Sequence, residues 1–289
     1  MESLQGTGVA LVTPFGEDGA VDYEGLDRLI DYVSPHVDYL VVHGTTGETA
    51  TTTTAEKKAI FNQVRKKNNG KLPLVYGIGG NNTAAVIDTI KTTDLEGVSA
   101  ILSVSPYYNK PSQEGLYQHY TAIANASHLP IILYNVPGRT GSNVEVETTL
   151  RLASHPNIIG TKDATGDLSH CIRIADSMPE GFLLLSGDDI LTPAISAIGG
   201  SGAISVLANG LPEIMGGMVR ASISNEPDLA NELNGKMLDI NPLMYEESNP
   251  VGVKEVLRQK EVCGNQVRLP LWRASESLSN RIKVELEKL

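Results

Sequence analysis

Residues 130–162 read PIILYNVPGRTGSNVEVETTLRLASHPNIIGTK, and this stretch decides the fold. Ile131–Val136 is a short apolar run without alternation. Val144–Ala153 carries helical spacing, and Ile158–Lys162 is a second short apolar run. Strands apolar on both faces suit a parallel sheet covered by helices. The stretch is therefore one strand–helix–strand unit.

The unit recurs along the chain. Apolar runs at Gly8–Pro14, Tyr39–His43, Leu74–Ile78 and Ala100–Ser105 precede it, and Phe182–Ser186 and Gly202–Val206 follow. Successive runs start 20 to 35 residues apart, room for one strand, one helix and two loops. Helices are expected at Tyr23–Val33 (capped by Asp22), Ala55–Lys67, Thr83–Leu95, Gln113–Ala126, Leu168–Ser177, Ile190–Ile198 and Pro212–Ile223. Eight βα units in series favour a (β/α)₈ TIM barrel over a doubly wound sheet. The expected division is a barrel over residues 1–224 and a small helical region over 225–289, with helices at Pro227–Leu238, Val251–Gln259 and Ala274–Leu286.

With 289 residues, 41% hydrophobic and 20% charged, the chain has the balance of an ordinary globular protein. Its net charge of −11 gives no basic surface for nucleic acid or an anionic membrane. Anionic substrates would need specific captors against that field. Two cysteines, Cys171 and Cys263, allow neither a disulfide framework nor a cysteine zinc site. The start Met1–Gly6 has no basic region before an apolar run, and no window is apolar enough for a membrane helix. A cytoplasmic location is expected.

In such a barrel, chemistry sits at the C-terminal strand ends. Lys162 ends the run Asn157-Ile158-Ile159-Gly160-Thr161. Desolvation there disfavours an ammonium ion, and a neutral amine forms a Schiff base with a ketone. Alternatively, Lys162 leaves the strand and pairs with Asp163 or Asp167. Tyr134 ends the preceding run and could shuttle protons, or simply plug the barrel top. Tyr107 and Tyr108 point in opposite directions in an extended stretch, so one could reach across a subunit interface. Gly44-Thr45-Thr46-Gly47-Glu48 offers hydroxyls and N–H groups to an anion, or forms a tight βα turn. Arg139 suits a two-pronged grip on a carboxylate, or is a solvated loop residue. Ser186-Gly187-Asp188-Asp189 invites a metal, but the six histidines show no ligand spacing. Asp188 or Asp189 reads better as a helix N-cap. Gly199-Gly200-Ser201-Gly202 is either a phosphate site or an αβ turn. Together these residues describe a metal-free lysine aldolase that needs no cofactor.

Three motifs, Gly44–Glu48, Tyr134–Gly141 and Lys162-Asp163-Ala164-Thr165-Gly166, resemble the pyruvate-dependent class I aldolase family that includes N-acetylneuraminate lyase. Ser105–Tyr117, Leu185–Asp189 and Asn249-Pro250 extend the likeness over nearly the whole chain and direct it to the dihydrodipicolinate synthase branch. The resemblance implies condensation of pyruvate with L-aspartate 4-semialdehyde, on the route to lysine and diaminopimelate. Lys162 would form the Schiff base. Thr46 and the Ile204 backbone would hold pyruvate, and Tyr134, Thr45 and Tyr108 would relay protons. Tyr108 would come from a neighbouring subunit of a homotetramer. Arg139 would bind the aldehyde's carboxylate, and Gly187 would line the site through its backbone. Asp163 stands where some relatives have Glu, and Gly138 where some have Ser. Sugar-acid aldolases and N-acetylneuraminate lyase share the lysine but need a polyol site, whereas Arg139 after Val136-Pro137-Gly138 suits a small carboxylate. A non-catalytic keto-acid binder would have little use for Lys162, Tyr134, Thr45 and Arg139 together. The resemblance also implies a lysine-binding pattern at Ala50, Asn81 and Tyr107. Inhibited relatives carry His at the positions of Thr54 and Lys57, and Glu at that of Ala85, so weak or absent inhibition by lysine is expected.

Overall fold

The eight apolar runs form eight parallel strands in the computed structural model, which describes residues 4–289. They are β1 (Gly6–Ala10), β2 (Tyr39–Val42), β3 (Leu74–Gly77), β4 (Val98–Val104), β5 (Ile131–Asn135), β6 (Ile158–Asp163), β7 (Leu183–Ser186) and β8 (Gly202–Ser205). Each pairs with the next, and β1 pairs with β8 from Gly6↔Gly202 to Val9↔Ser205, closing a TIM barrel. The expected absence of a leader at Met1–Gly6 rests partly on residues 1–3, outside the described part. No described helix is long and apolar enough to cross a membrane.

Alternation along each strand sorts the side chains. Ala10, Tyr39, Val41, Val75, Leu102, Ile132, Tyr134, Leu185 and Ile204 pack on one another inside the barrel. Val9, Leu40, Val42, Ile101, Ile131, Leu133 and Ile158 pack outward beneath the helices. Tyr39 fills the barrel floor only because Gly8 faces it: a Cβ on Gly8 would lie 2.1 Å from the ring.

The helices at Tyr23–Val33, Gln113–Ala126, Leu168–Ser177, Pro212–Ile223 and Val251–Gln259 take the expected bounds. Asp22 caps the first by accepting from the Gly25 N–H. Two expectations need correction. The first strand is Gly6–Ala10, not Gly8–Pro14, because after Leu11, whose N–H still donates to the Val41 carbonyl, the chain turns from the sheet. Val12 N–H donates to Asn209 Oδ1, and the Thr13 hydroxyl donates to the Gly47 carbonyl. Ile190–Ile198 is a 3₁₀ turn, Asp189–Leu191, followed by a helix at Thr192–Ala197. Pro193, which has no N–H to give, sits in that helix's first turn. Asp188 stands at the N-cap of the 3₁₀ turn, as expected, where the Ile190 and Leu191 backbone groups act on its carboxyl. Asp189 accepts from the Val206 and Leu207 N–H groups, holding the turn after β8. Gly199–Ser201 precedes β8 and so lies at the end of the barrel opposite the strand C-termini, as an αβ turn.

Residues 225–289 contribute helices at Pro227–Met237, Val251–Gln259 and Glu276–Leu286. Their tie to the barrel mouth is a buried ion pair. Lys254 Nζ lies 2.5 Å from Glu48 Oε1, and both side chains are almost wholly out of water. The lysine also donates to the Gln266 carbonyl, and Glu48 Oε2 accepts from the Arg268 N–H. The ammonium and the Arg268 guanidinium each sit 4.3 Å from the Phe15 ring.

Candidate active site

On β6 the inward positions are Gly160 and Lys162, and on β5 they are Ile132 and Tyr134; the register pairs Tyr134 with Lys162. Both side chains are buried. Lys162 Nζ sits 4.3 Å from the Tyr134 ring centroid, where the ring's negative face attracts a cation. The competing pairings are not made. The Asp163 carboxylate accepts from the Thr165 hydroxyl at 2.6 Å and from the Thr165 N–H at 3.1 Å, and faces Asn135 and His170 at 3.4 Å. Asp167 is occupied capping the helix Leu168–Ser177. Among the described residues, no carboxylate lies within ion-pair distance of Lys162.

Gly187 follows β7 and presses on this lysine. Its N–H donates to the Asp163 carbonyl at 2.6 Å, and a Cβ there would lie 3.0 Å from Lys162 Cε and 2.7 Å from Ala164 Cβ. A side chain at this position would displace the amine. Ile204 packs on the inner face in one cluster with Tyr134 and Leu185. Behind it, burial pushes the Asp189 carboxyl up to about 6, against its backbone hydrogen bonds and the field of Lys162.

The segment Gly44–Glu48 leaves β2 as a 3₁₀ turn over Thr45–Gly47. Thr49 Oγ1 donates to the His43 and Gly44 carbonyls, and Glu48 takes the left-handed conformation. Thr46 is buried and accepts from Asn249 Nδ2 at 3.1 Å; Thr45 is half-buried. His43 Nε2 lies 3.0 Å from the Lys57 carbonyl, and burial lowers its pKa to about 4, so it is neutral near pH 7.

Arg139 lies on the single helical turn Pro137–Thr140, exposed. Among the described residues its guanidinium has no hydrogen-bond or ion-pair partner. Tyr245 is 38% exposed, and its phenol is pushed up by partial burial and by Asp189, Asp188 and Tyr134, while Arg139 acts the other way. Tyr108 is not drawn in: it is 88% exposed with φ +72, and Tyr107 beside it is 44% exposed. Among the described residues, no three His, Cys, Asp or Glu side chains converge on a point where a metal could bind.

The structure adds residues that sequence reading did not assign: Asn249 on Thr46, Lys254 and Arg268 on Glu48, and the partners of Asp163. One signal was present. Val251-Gly252-Val253-Lys254-Glu255-Val256-Leu257 places two charges inside an apolar helix, and charges so placed require partners.

The sequence model of the dihydrodipicolinate synthetase family matches residues 3–289. A 4-hydroxy-tetrahydrodipicolinate synthase of Cytophaga hutchinsonii is 48% identical over 98% of this chain and 96% of its own. That of Flavobacterium psychrophilum is 47% identical over 100% and 99%. Among solved structures, the dihydrodipicolinate synthase of Thermotoga maritima superposes with a TM-score of 0.95 at 36% identity, covering 98% of each chain. The chloride-inhibited dihydrodipicolinate synthase of Acinetobacter baumannii, complexed with pyruvate, gives 0.95 at 38% identity over 99% and 98%. A closed barrel with an unpaired lysine against a tyrosine at its mouth, matched end to end in sequence and in shape, leaves one assignment: the chain belongs to the dihydrodipicolinate synthetase family.

Proposed function

We propose that this chain condenses pyruvate with L-aspartate 4-semialdehyde to 4-hydroxy-tetrahydrodipicolinate, a step toward lysine and diaminopimelate, through an imine on Lys162. The observation that carries the reading is the buried Lys162 amine, with no carboxylate within ion-pair distance among the described residues and 4.3 Å from the Tyr134 ring. The names of the full-length relatives, and the pyruvate complex of the Acinetobacter baumannii enzyme, support it.

In this reading the Lys162 amine attacks the keto carbon of pyruvate and water leaves, giving an imine. A methyl proton is removed, and the resulting enamine carbon attacks the aldehyde carbon, whose oxygen takes up a proton. The substrate's own amine then attacks the imine carbon, closes the ring and releases Lys162. Tyr134, Thr45 and Tyr108 carry the protons. Tyr108 serves from a neighbouring subunit of a homotetramer, and its exposure on a left-handed backbone supports that reading. Thr46 and the Ile204 backbone hold the pyruvate portion, and Gly187 leaves room for the imine. The reaction uses neither metal nor cofactor and runs in the cytoplasm. Residues 1–224 form the barrel unit and 225–289 the region that completes it.

The deciding experiment is a coupled assay. Turnover is expected with pyruvate plus aspartate semialdehyde and not with N-acetylneuraminate or 2-keto-3-deoxy sugar acids. Preference for a sugar acid would overturn the substrate assignment. Arg139 divides the two halves of the reaction. Arg139→Ala removes a charge-assisted contact of about 1.5–3 kcal/mol, so KM for aspartate semialdehyde should rise roughly tenfold to a hundredfold. Pyruvate adduct formation should persist, and equal loss of both steps counts against the division.

L-lysine should inhibit weakly or not at all. Ala85 is exposed and offers no carboxylate, and the half-buried Lys57 adds like charge. Steady-state rates with added lysine check this, and half-inhibition below millimolar lysine contradicts it.

A further inference from the structure

Asn249 and Thr46 stand 203 residues apart in sequence and meet in the fold, Nδ2 to Oγ1 at 3.1 Å, both buried. The direction of this bond has a chemical consequence. An amide nitrogen only donates, so the threonine oxygen accepts, and its single proton is left for another partner. Among the described residues the Thr46 hydroxyl donates to none. Among the described residues Asn249 Oδ1 is buried with no hydrogen-bond partner, so the amide is tied to its surroundings through the nitrogen.

The surroundings keep the hydroxyl in place. The Gly47 carbonyl, one residue on from Thr46, accepts from the Thr13 hydroxyl. Glu48, the next residue, is tied to Lys254 and to the Arg268 N–H. The turn is clamped at and directly after Thr46, and three of its clamps, Asn249, Lys254 and Arg268, come from one C-terminal segment.

We propose that Asn249 is a positioning residue for the keto-acid subsite, which holds Thr46 as a hydrogen-bond donor aimed at the carboxylate of pyruvate. This rests on the reading that Thr46 binds that carboxylate. Asparagine suits the role where aspartate does not. A carboxylate at this position would capture the Thr46 proton and set a negative charge against the incoming anion.

The test is the half-saturation for pyruvate, read both as KM and as the concentration dependence of borohydride trapping on Lys162. Trapping reports the same half-saturation in whatever fraction of a variant folds. Asn249→Asp is expected to raise it about 10- to 100-fold, and Asn249→Ala about 3- to 10-fold, with kcat changed less than about threefold. Thr46→Val should raise it comparably, and Asn249→Ala added to Thr46→Val should raise it no further, because the two act as one unit. A merely structural role gives a different pattern. Loosening the turn would disturb Thr45 as well and lower kcat, so a fall in kcat with unchanged half-saturation overturns the proposal. Independent, multiplying effects in the double variant also overturn it, while leaving Thr46 in the subsite. An unchanged half-saturation in Thr46→Val removes the subsite reading itself, and the proposal with it.

Discussion

Lys162→Ala is expected to abolish the borohydride-trapped pyruvate adduct and to lower kcat/KM by at least about 10⁴-fold, as loss of a covalent nucleophile does. The reason for expecting no substitute amine lies in the two buried lysines, Lys162 and Lys254. Lys254 is spent on Glu48 and the Gln266 carbonyl. Lys162 lies against the Tyr134 ring with no carboxylate within ion-pair distance among the described residues, so in the proposed reading its amine is the one open to a ketone. Intact-mass analysis should find one adduct per parent chain and none in the variant. Stability should move the other way. Removing a buried amine that has no carboxylate partner among the described residues should leave the melting temperature unchanged or higher. An adduct that survives the substitution would transfer the chemistry to another residue.

Tyr134→Phe is expected to reduce turnover by roughly 10²–10⁴-fold, the range for a positioned acid–base group. The substitution keeps the ring and therefore the packing against Leu185 and Ile204 and the contact with the amine. Only the hydroxyl goes. Exchange of the pyruvate methyl protons with deuterated solvent, followed by NMR, should slow with turnover, while the adduct still accumulates on long incubation. Turnover within tenfold of the parent would exclude the hydroxyl from the proton path.

The barrel was legible because each of its strands is apolar on both faces and each covering helix has one apolar face. Those patterns are local, and Tyr23–Val33 or Gln113–Ala126 needs no distant residue to be recognised. Leu11–Pro14 misled for the same reason in reverse. Its apolar side chains record burial, but past Leu11, whose N–H still donates to the Val41 carbonyl, its hydrogen bonds go to Asn209 and Gly47 instead of a strand. The lysine and tyrosine at adjacent strand ends were readable as separate candidates, and their contact follows from the β5–β6 register. Asn249 was not readable in this way. Its partner lies 203 residues away on a turn, and no periodicity links them. Nor could sequence alone show that Asp163 turns from Lys162 toward Thr165, which required the fate of its carboxylate.

Synthesis order gives the Glu48–Lys254 pair a further meaning. A chain emerges from the ribosome N-terminus first, and folding follows emergence. Glu48 appears early, yet its counter-charge arrives only with Lys254, and its second donor with Arg268. Sinking a carboxylate without its cation costs several kcal/mol, so the turn carrying Thr45 and Thr46 stays wet until those residues are made. Under the proposed function, a chain halted before them would hold Lys162 and Tyr134 beside an unsettled Thr45-Thr46 turn, and its keto-acid pocket would be complete only once translation has run past Arg268.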